Sequence, residues 1–393
     1  MDLFDKCKNF TKSKELEEVG LYPYFQPISS KQDTEVIING KKVLMFGSNS
    51  YLGLTVHPKV KKAAMDAVEK YGTGCAGSRF LNGTLDIHEE LEEKLAEFVN
   101  KEKAILFSTG FQANLGAISA LANKNEYIIL DKSDHASIVD GTRLSDATIK
   151  RFLHNNMCSL EKVLSSIDIN VPKFIIVDGV YSMDGDITNL PEIIKLKNRY
   201  NAKVMVDDAH SLGVIGKNGR GTANYYNLED ETDVIMGTFS KSFASLGGFI
   251  ASSEEVIEYL RHFARSLIFS ASITPSSTAA VLASLEIMQK EPELIEKLWE
   301  NTKRMRNGVL DMGYNIGVST TPIIPLIVGD NEKVLMMRKI LFENGVFVNP
   351  VVSPAVPPNQ TLIRLSLMAT HTFKQIDLAL EKIYEVGRKL EII

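Results

Sequence analysis

Disulfide chemistry has almost nothing to work with in this chain. Its 393 residues include three cysteines, Cys7, Cys75 and Cys158, widely spaced and with no Cys-x-x-Cys pair. That excludes a disulfide or zinc framework and fits a reducing compartment. No run of about 18 apolar residues occurs, and the start, Met1-Asp-Leu-Phe-Asp-Lys6, has no apolar targeting core. The expectation is a cytoplasmic protein without a membrane span. Basic charge is not in excess either: 44 Lys+Arg stand against 49 Asp+Glu, net −5. With both signs interspersed, no nucleic-acid surface is expected. A Gly-x4-Gly-Lys-Ser/Thr loop is also missing, so Asp207-Asp-Ala-His210, which looks like the acidic box of a helicase-type ATPase, has no phosphate loop to work with.

What is present is 44% apolar and 24% charged residues, enough for one large domain and a smaller one. Residues 1–45 read as an N-terminal arm. It holds a charged helical start, the connector Leu21-Tyr-Pro-Tyr-Phe25 and a hairpin around Asn39-Gly40. Over 46–280, short β-branched runs at 104–107, 127–130, 173–178, 203–207, 233–236 and 248–251 alternate with amphipathic helices, the signature of an α/β domain with a mostly parallel sheet. The helix near 86–99 carries Ile87, Leu91, Leu95 and Phe98 on one stripe, which is core. Over 281–393, long helices (about 275–312, 331–345 and 373–390) surround strands near 323–328 and 362–366, a small C-terminal α+β domain. Gly72-Thr-Gly-Cys-Ala-Gly77 matches a dinucleotide fingerprint but follows a helix instead of a strand, so the nucleotide reading fails.

The chemistry centres on Lys241. The run Ala202-Lys-Val-Met-Val-Asp207 reads as a buried parallel strand delivering Asp207 at its C-terminal edge, where open α/β sheets bind ligands. The next run, Asp233-Val-Ile-Met-Gly237, delivers Thr238-Phe-Ser-Lys241. An amine and a carboxylate converging on one crevice suit pyridoxal phosphate, whose aldehyde needs the first and whose pyridine nitrogen needs the second. Other segments end at the same edge. Ser108-Thr-Gly110-Phe111 opens a helix whose amides can hold a phosphate. His135 is flat and can stack on a ring; Asp178 to Gly185 offers a carboxylate and the hydroxyl of Ser182. Arg364, on an apolar strand, suits a carboxylate ligand, with a structural salt bridge as the competing explanation.

Taken together, Asn49-Ser-Tyr-Leu-Gly-Leu54, Gly72 to Leu85, Asp134-His-Ala-Ser-Ile-Val-Asp-Gly141, Asp178 to Asp186, Asp207 to Gly213, Thr238 to Ser242, Phe269-Ser-Ala-Ser272 and Ile363 to Thr372 resemble the α-oxoamine synthases. These are pyridoxal-phosphate enzymes of fold type I, with an aspartate-aminotransferase-like large domain built on a seven-stranded sheet. Within that family, Gly74 to Leu85, Tyr22-Pro-Tyr-Phe25 and Met368-Ala-Thr-His-Thr372 look most like the soluble bacterial serine palmitoyltransferases. The resemblance implies condensation of L-serine with a long-chain acyl-CoA to 3-ketodihydrosphingosine, CoA and carbon dioxide. It also implies a homodimer with active sites at the subunit interface. Lys241 would form the imine and move the Cα proton, Asp207 would pair with the pyridine nitrogen, His210 would contact the ring hydroxyl, and His135 would stack on the ring. Gly110, Phe111, Thr238 and, from a partner subunit, Ser270 would hold the phosphate; Asn49, Ser182 and Arg364 would shape the amino-acid site. No metal is implied. Many relatives carry Arg-x-Arg where this chain has Leu362-Ile-Arg364, which leaves one arginine for the clamp. Two alternatives stay open: a glycine- or alanine-using member such as 2-amino-3-ketobutyrate CoA ligase or 8-amino-7-oxononanoate synthase, and a non-catalytic partner subunit.

Overall fold

The computed structural model describes residues 2–393. Thirteen strands follow in chain order: β1 Glu35–Ile38, β2 Lys41–Met45, β3 Lys103–Phe107, β4 Tyr127–Asp131, β5 Thr148–Phe152, β6 Lys173–Asp178, β7 Lys203–Asp207, β8 Val234–Thr238, β9 Gly248–Ser252, β10 Ile323–Ile327, β11 Val346–Phe347, β12 Asn349–Val351 and β13 Leu362–Ser366. Seven of them form the central sheet, in the order β3-β9-β8-β7-β6-β4-β5. β9 runs antiparallel to both its neighbours, and the remaining pairs are parallel.

The inner strands are apolar on both faces because helices cover both. Ile129, Ile175, Val177, Val204 and Val206 enter one core, while Ile128, Leu130, Ile176 and Met205 enter the other. This two-sided burial is why the strands read as continuous β-branched runs. β5 escaped that reading: Thr148-Ile-Lys-Arg-Phe152 is an edge strand with Phe152 as its one fully buried side chain. Pairing with β4 makes it a strand, and no apolar run advertises it.

Two further differences have simple causes. The helix expected over 275–312 is two, Pro275–Lys290 and Glu293–Asp311, because Pro292 has no N–H to continue the ladder. The hairpin β1–β2 forms as expected, but it does not stand apart. β2 also pairs in parallel with β11, and the amide of Ser366 donates to the Phe46 carbonyl at 2.8 Å. The arm's strands are therefore stitched to the C-terminal segment, whose own sheet runs β10-β13-β12. That stitching brings Asn49 and Tyr51 toward Arg364 on β13. Among the described residues no helix is long and apolar enough to cross a membrane.

Candidate active site

Parallel register decides what meets at the sheet's C-terminal edge. Asp178, the last residue of β6, stands beside Asp207, the last residue of β7. Both are buried, and two carboxylates so placed cannot both ionise cheaply. The structure treats them differently. Asp207 accepts hydrogen bonds from Asn114 Nδ2 at 2.7 Å and from the Ala209 amide at 3.0 Å, the donors a carboxylate needs. Asp178 Oδ1 is buried with no partner among the described residues; burial, and then the charge of Asp207, push its pKa well above the carboxylate range. Burial thus favours the protonated form at Asp178.

A cavity of about 260 Å³ opens over this edge. It is lined by Gly110, Phe111, Asn114, His135, Asp178, Asp207, His210, Thr238 and Lys241, among others. Seven of the residues read from sequence as cofactor ligands therefore share one cavity. Lys241 sits here because β8 ends at Thr238 and the chain turns back into β9 through a short loop. Burial lowers its amine to about 8, against the raising effect of Asp207 and Asp178. At pH 7.5 such an amine is about one-quarter neutral, against roughly one part in a thousand for an ordinary lysine. The helix Gly110–Leu121 points its N-terminus at the same space, with Thr109 capping it through a 3.1 Å bond from the Gln112 amide. Glycine at 110 is required, since a Cβ there would lie 2.5 Å from Thr238 Oγ1. His135 caps the next helix: its Nδ1 lies 2.8 Å from Ser137 Oγ and accepts from the Ser137 amide.

Three of the expected substrate ligands form a second, adjoining group. Arg364 is 5% exposed and donates from Nε to the Ser182 carbonyl at 2.6 Å, and from Nη1 to Asn49 Oδ1 at 3.0 Å and Ser366 Oγ at 2.7 Å. Its Nη2 has no partner. A buried guanidinium nitrogen left free is costly unless a ligand completes it, and a carboxylate would. Ser182 reaches Arg364 through its backbone. Ser270 is not in the cavity of its own chain; its Oγ accepts from Gln112 Nε2 at 2.9 Å, beside the phosphate-facing helix end.

Two residues at the site were given no role from sequence, Tyr51 within a quoted motif and Asn114 just beyond one. Asn114, one turn after Gly110, bridges Asp207 and Ser137 Oγ, the latter at 2.8 Å. Its signal was a polar residue on an otherwise apolar helix face. Tyr51 places its phenol 2.6 Å from His210 Nδ1, and no local pattern announces that contact. The donor set fits pyridoxal phosphate: helix amides and Thr238 for an anion, Asp207 for a ring nitrogen, and an amine of lowered pKa for an aldehyde.

Comparison with known proteins agrees. The family model "Aminotransferase class I and II" matches residues 41–383. Serine palmitoyltransferase of Sphingobacterium spiritivorum is 57% identical over 390 residues, covering 99% of this chain and 98% of its own. 8-Amino-7-oxononanoate synthase of Treponema denticola is 44% identical, covering 97% of each chain. A solved high-resolution structure of SPT with the PLP internal aldimine superposes with a TM-score of 0.97 at 38% identity, covering 100% of both chains.

Proposed function

This chain belongs to the aminotransferase class I and II family, within its fold type I, pyridoxal-phosphate-dependent branch, and from that premise we propose that it is a serine palmitoyltransferase. The reaction joins L-serine to a long-chain acyl-CoA, releasing CoA and carbon dioxide and giving 3-ketodihydrosphingosine. Full-length similarity to serine palmitoyltransferases at 49–57% identity supports this choice within the family. The observation that carries the chemistry is one cavity holding a buried amine, Lys241, and a buried carboxylate, Asp207.

When bound, pyridoxal phosphate supplies an aldehyde and an electron-accepting ring that stabilises charge at the substrate Cα. The rest is done by this chain. The Gly110 and Phe111 amides and Thr238 would hold the phosphate, and Asp207, oriented by hydrogen bonds from Asn114 and the Ala209 amide, would favour a protonated ring nitrogen. Each unit of such a shift is about 1.4 kcal/mol. His135, which lines the cavity, would pack against the ring. Arg364 Nη2 takes the serine carboxylate, with its other donors already fixed by Asn49, Ser182 and Ser366, so one arginine is pre-oriented without a second. Lys241, its pKa lowered to about 8 by burial, accepts the Cα proton in its neutral form.

A second copy of the chain completes the site, with the partner subunit's Ser270 adding to the phosphate ligands. Exposed apolar side chains of Phe80, Leu81, Phe111 and Phe269 support this reading. The deciding experiment is a substrate panel: CoA release with serine, glycine and alanine against long and short acyl-CoAs. Serine with a long chain should exceed the other pairs by at least about tenfold in kcat/KM. Preference for glycine or alanine would move the chain to another branch of the family.

A further inference from the structure

Tyr51 belongs to the segment between β2 and the helix Pro58–Tyr71, and its side chain is 1% exposed. Its phenol oxygen lies 2.6 Å from His210 Nδ1, with the two rings edge to face, centroids 6.0 Å apart at 66°. So short a contact between buried groups is one hydrogen bond with one proton, and the surroundings say which atom owns it. Burial raises the phenol's pKa, so the O–H stays intact. Burial first, then the neighbouring Lys241 and Arg364, drive the imidazole's pKa well below its usual value, so the ring is neutral. Arg364 lowers the phenol's pKa by less than burial raises it, so the phenol keeps its proton, and among the described residues His210 Nδ1 is its hydrogen-bond partner. Nδ1 is therefore the acceptor. A neutral imidazole carries one N–H, and here it must be on Nε2, which makes no hydrogen bond within the described chain while His210 lines the cavity.

We propose that Tyr51 is a positioning residue that locks His210 in the Nε2–H tautomer, so that His210 presents a fixed donor to the ring oxygen of a cofactor in the cavity. The inference rests on the pyridoxal-phosphate reading for its last step only. The same segment joins this donor to the substrate clamp. Asn49, two residues earlier, accepts from Arg364 at 3.0 Å, and the Tyr51 carbonyl accepts from the Ala369 amide at 2.7 Å. The ring-oxygen donor and the carboxylate clamp are thus set by one stretch of backbone.

Nitrogen-15 NMR of histidine-labelled protein without cofactor, with His210→Asn to assign the signal, reads the tautomer directly. The expected result is neutral, Nε2-protonated His210 between pH 6 and 9 in the wild type, and a mixture of tautomers in Tyr51→Phe. Cofactor-loaded protein gives the second readout. Tyr51→Phe should retain pyridoxal phosphate within about tenfold in affinity. Its visible band should weaken at least about threefold relative to the near-ultraviolet band, because a donor to the ring oxygen favours the form carrying negative oxygen. Wild-type His210 protonated on Nδ1, or a Tyr51→Phe spectrum identical to wild type, would overturn the inference. Wild-type protein that takes up no pyridoxal phosphate would overturn the cofactor reading instead, with the NMR result still deciding the tautomer.

Discussion

Two histidines close to the same edge of the central sheet show how differently one residue type can be held. His210 has Tyr51, Lys241 and Arg364 around it, and burial first, then those two basic groups, hold its pKa well below the ordinary range. His154 lies just past β5, with Nδ1 3.0 Å from Asp131 Oδ1 and Nε2 3.3 Å from Asp186 Oδ2. Burial pushes its pKa down, but the hydrogen bonds to Asp131 and Asp186 outweigh that and lift it to about 10. Asn155 reinforces the cluster, its amide donating to Asp131 Oδ2 at 2.7 Å and its side chain to Asp186 Oδ2 at 3.0 Å. In one cluster the proton is spoken for; in the other, carboxylates and an amine are left where a ligand can decide. Atoms without a hydrogen-bond partner among the described residues occur in both clusters, Arg364 Nη2 and Asp178 Oδ1 in the open one and His154 Nε2 and Asp186 Oδ1 in the closed one; what separates them is that His154 and Asp186 already lie within ion-pair distance of each other.

That contrast can be broken experimentally. Lys241→Ala removes the amine from the open cluster and should lower turnover at least about a thousandfold, abolishing the visible cofactor band near neutral pH; persistence of the band would mean the lysine is misassigned. Asp207→Asn should retain cofactor yet lose roughly a hundred- to ten-thousandfold in kcat, and activity within about tenfold of wild type would remove the electron-sink role. Changes in the closed cluster should act on stability instead. His154→Asn should cost about 2 kcal/mol in denaturant unfolding at pH 6, less than a fully buried pair because the imidazole is partly exposed, and leave kcat within about threefold.

The same contrast has a pH signature of definite sign. His154 has a folded pKa of about 10, above its unfolded value of about 6.5. Its contribution to stability is therefore complete below pH 6.5 and is lost as pH rises toward 10. Wild-type stability should fall across that window more steeply than that of His154→Asn. Lys241 runs the other way. Its folded pKa, about 8, is below the ordinary lysine value of about 10.5, so folding disfavours its charged form, and this cost shrinks as pH rises from 8 to 10.5. The rate at which cofactor-free protein captures pyridoxal phosphate should climb through about pH 8 and level off, as stopped-flow absorbance would record.

Legibility followed burial. Strands β4, β6, β7 and β8 were plain because both faces are apolar, and their ends placed Asp178, Asp207 and Thr238 at one edge before any coordinates. β5 was not, because an edge strand exposed on one side has no need of an apolar run. The break at Pro292 was readable in principle, but the apolar periodicity on either side hid it. The polar anchors were the least visible. Asn114 reaches Asp207 across 93 residues of chain and Tyr51 reaches His210 across 159, and no local periodicity encodes a contact at such range.

The order of residue types along the chain was enough to name the chemistry, because an amine after one parallel strand and a carboxylate ending its neighbour must emerge at the same sheet edge. Proton placement was left to the folded molecule. Which of Asp178 and Asp207 is neutral, which nitrogen of His210 carries hydrogen, and which arginine donor is free all depend on burial and on partners distant in sequence. Those are properties of a packed interior, where the cost of an unpaired charge is set by what surrounds it in space.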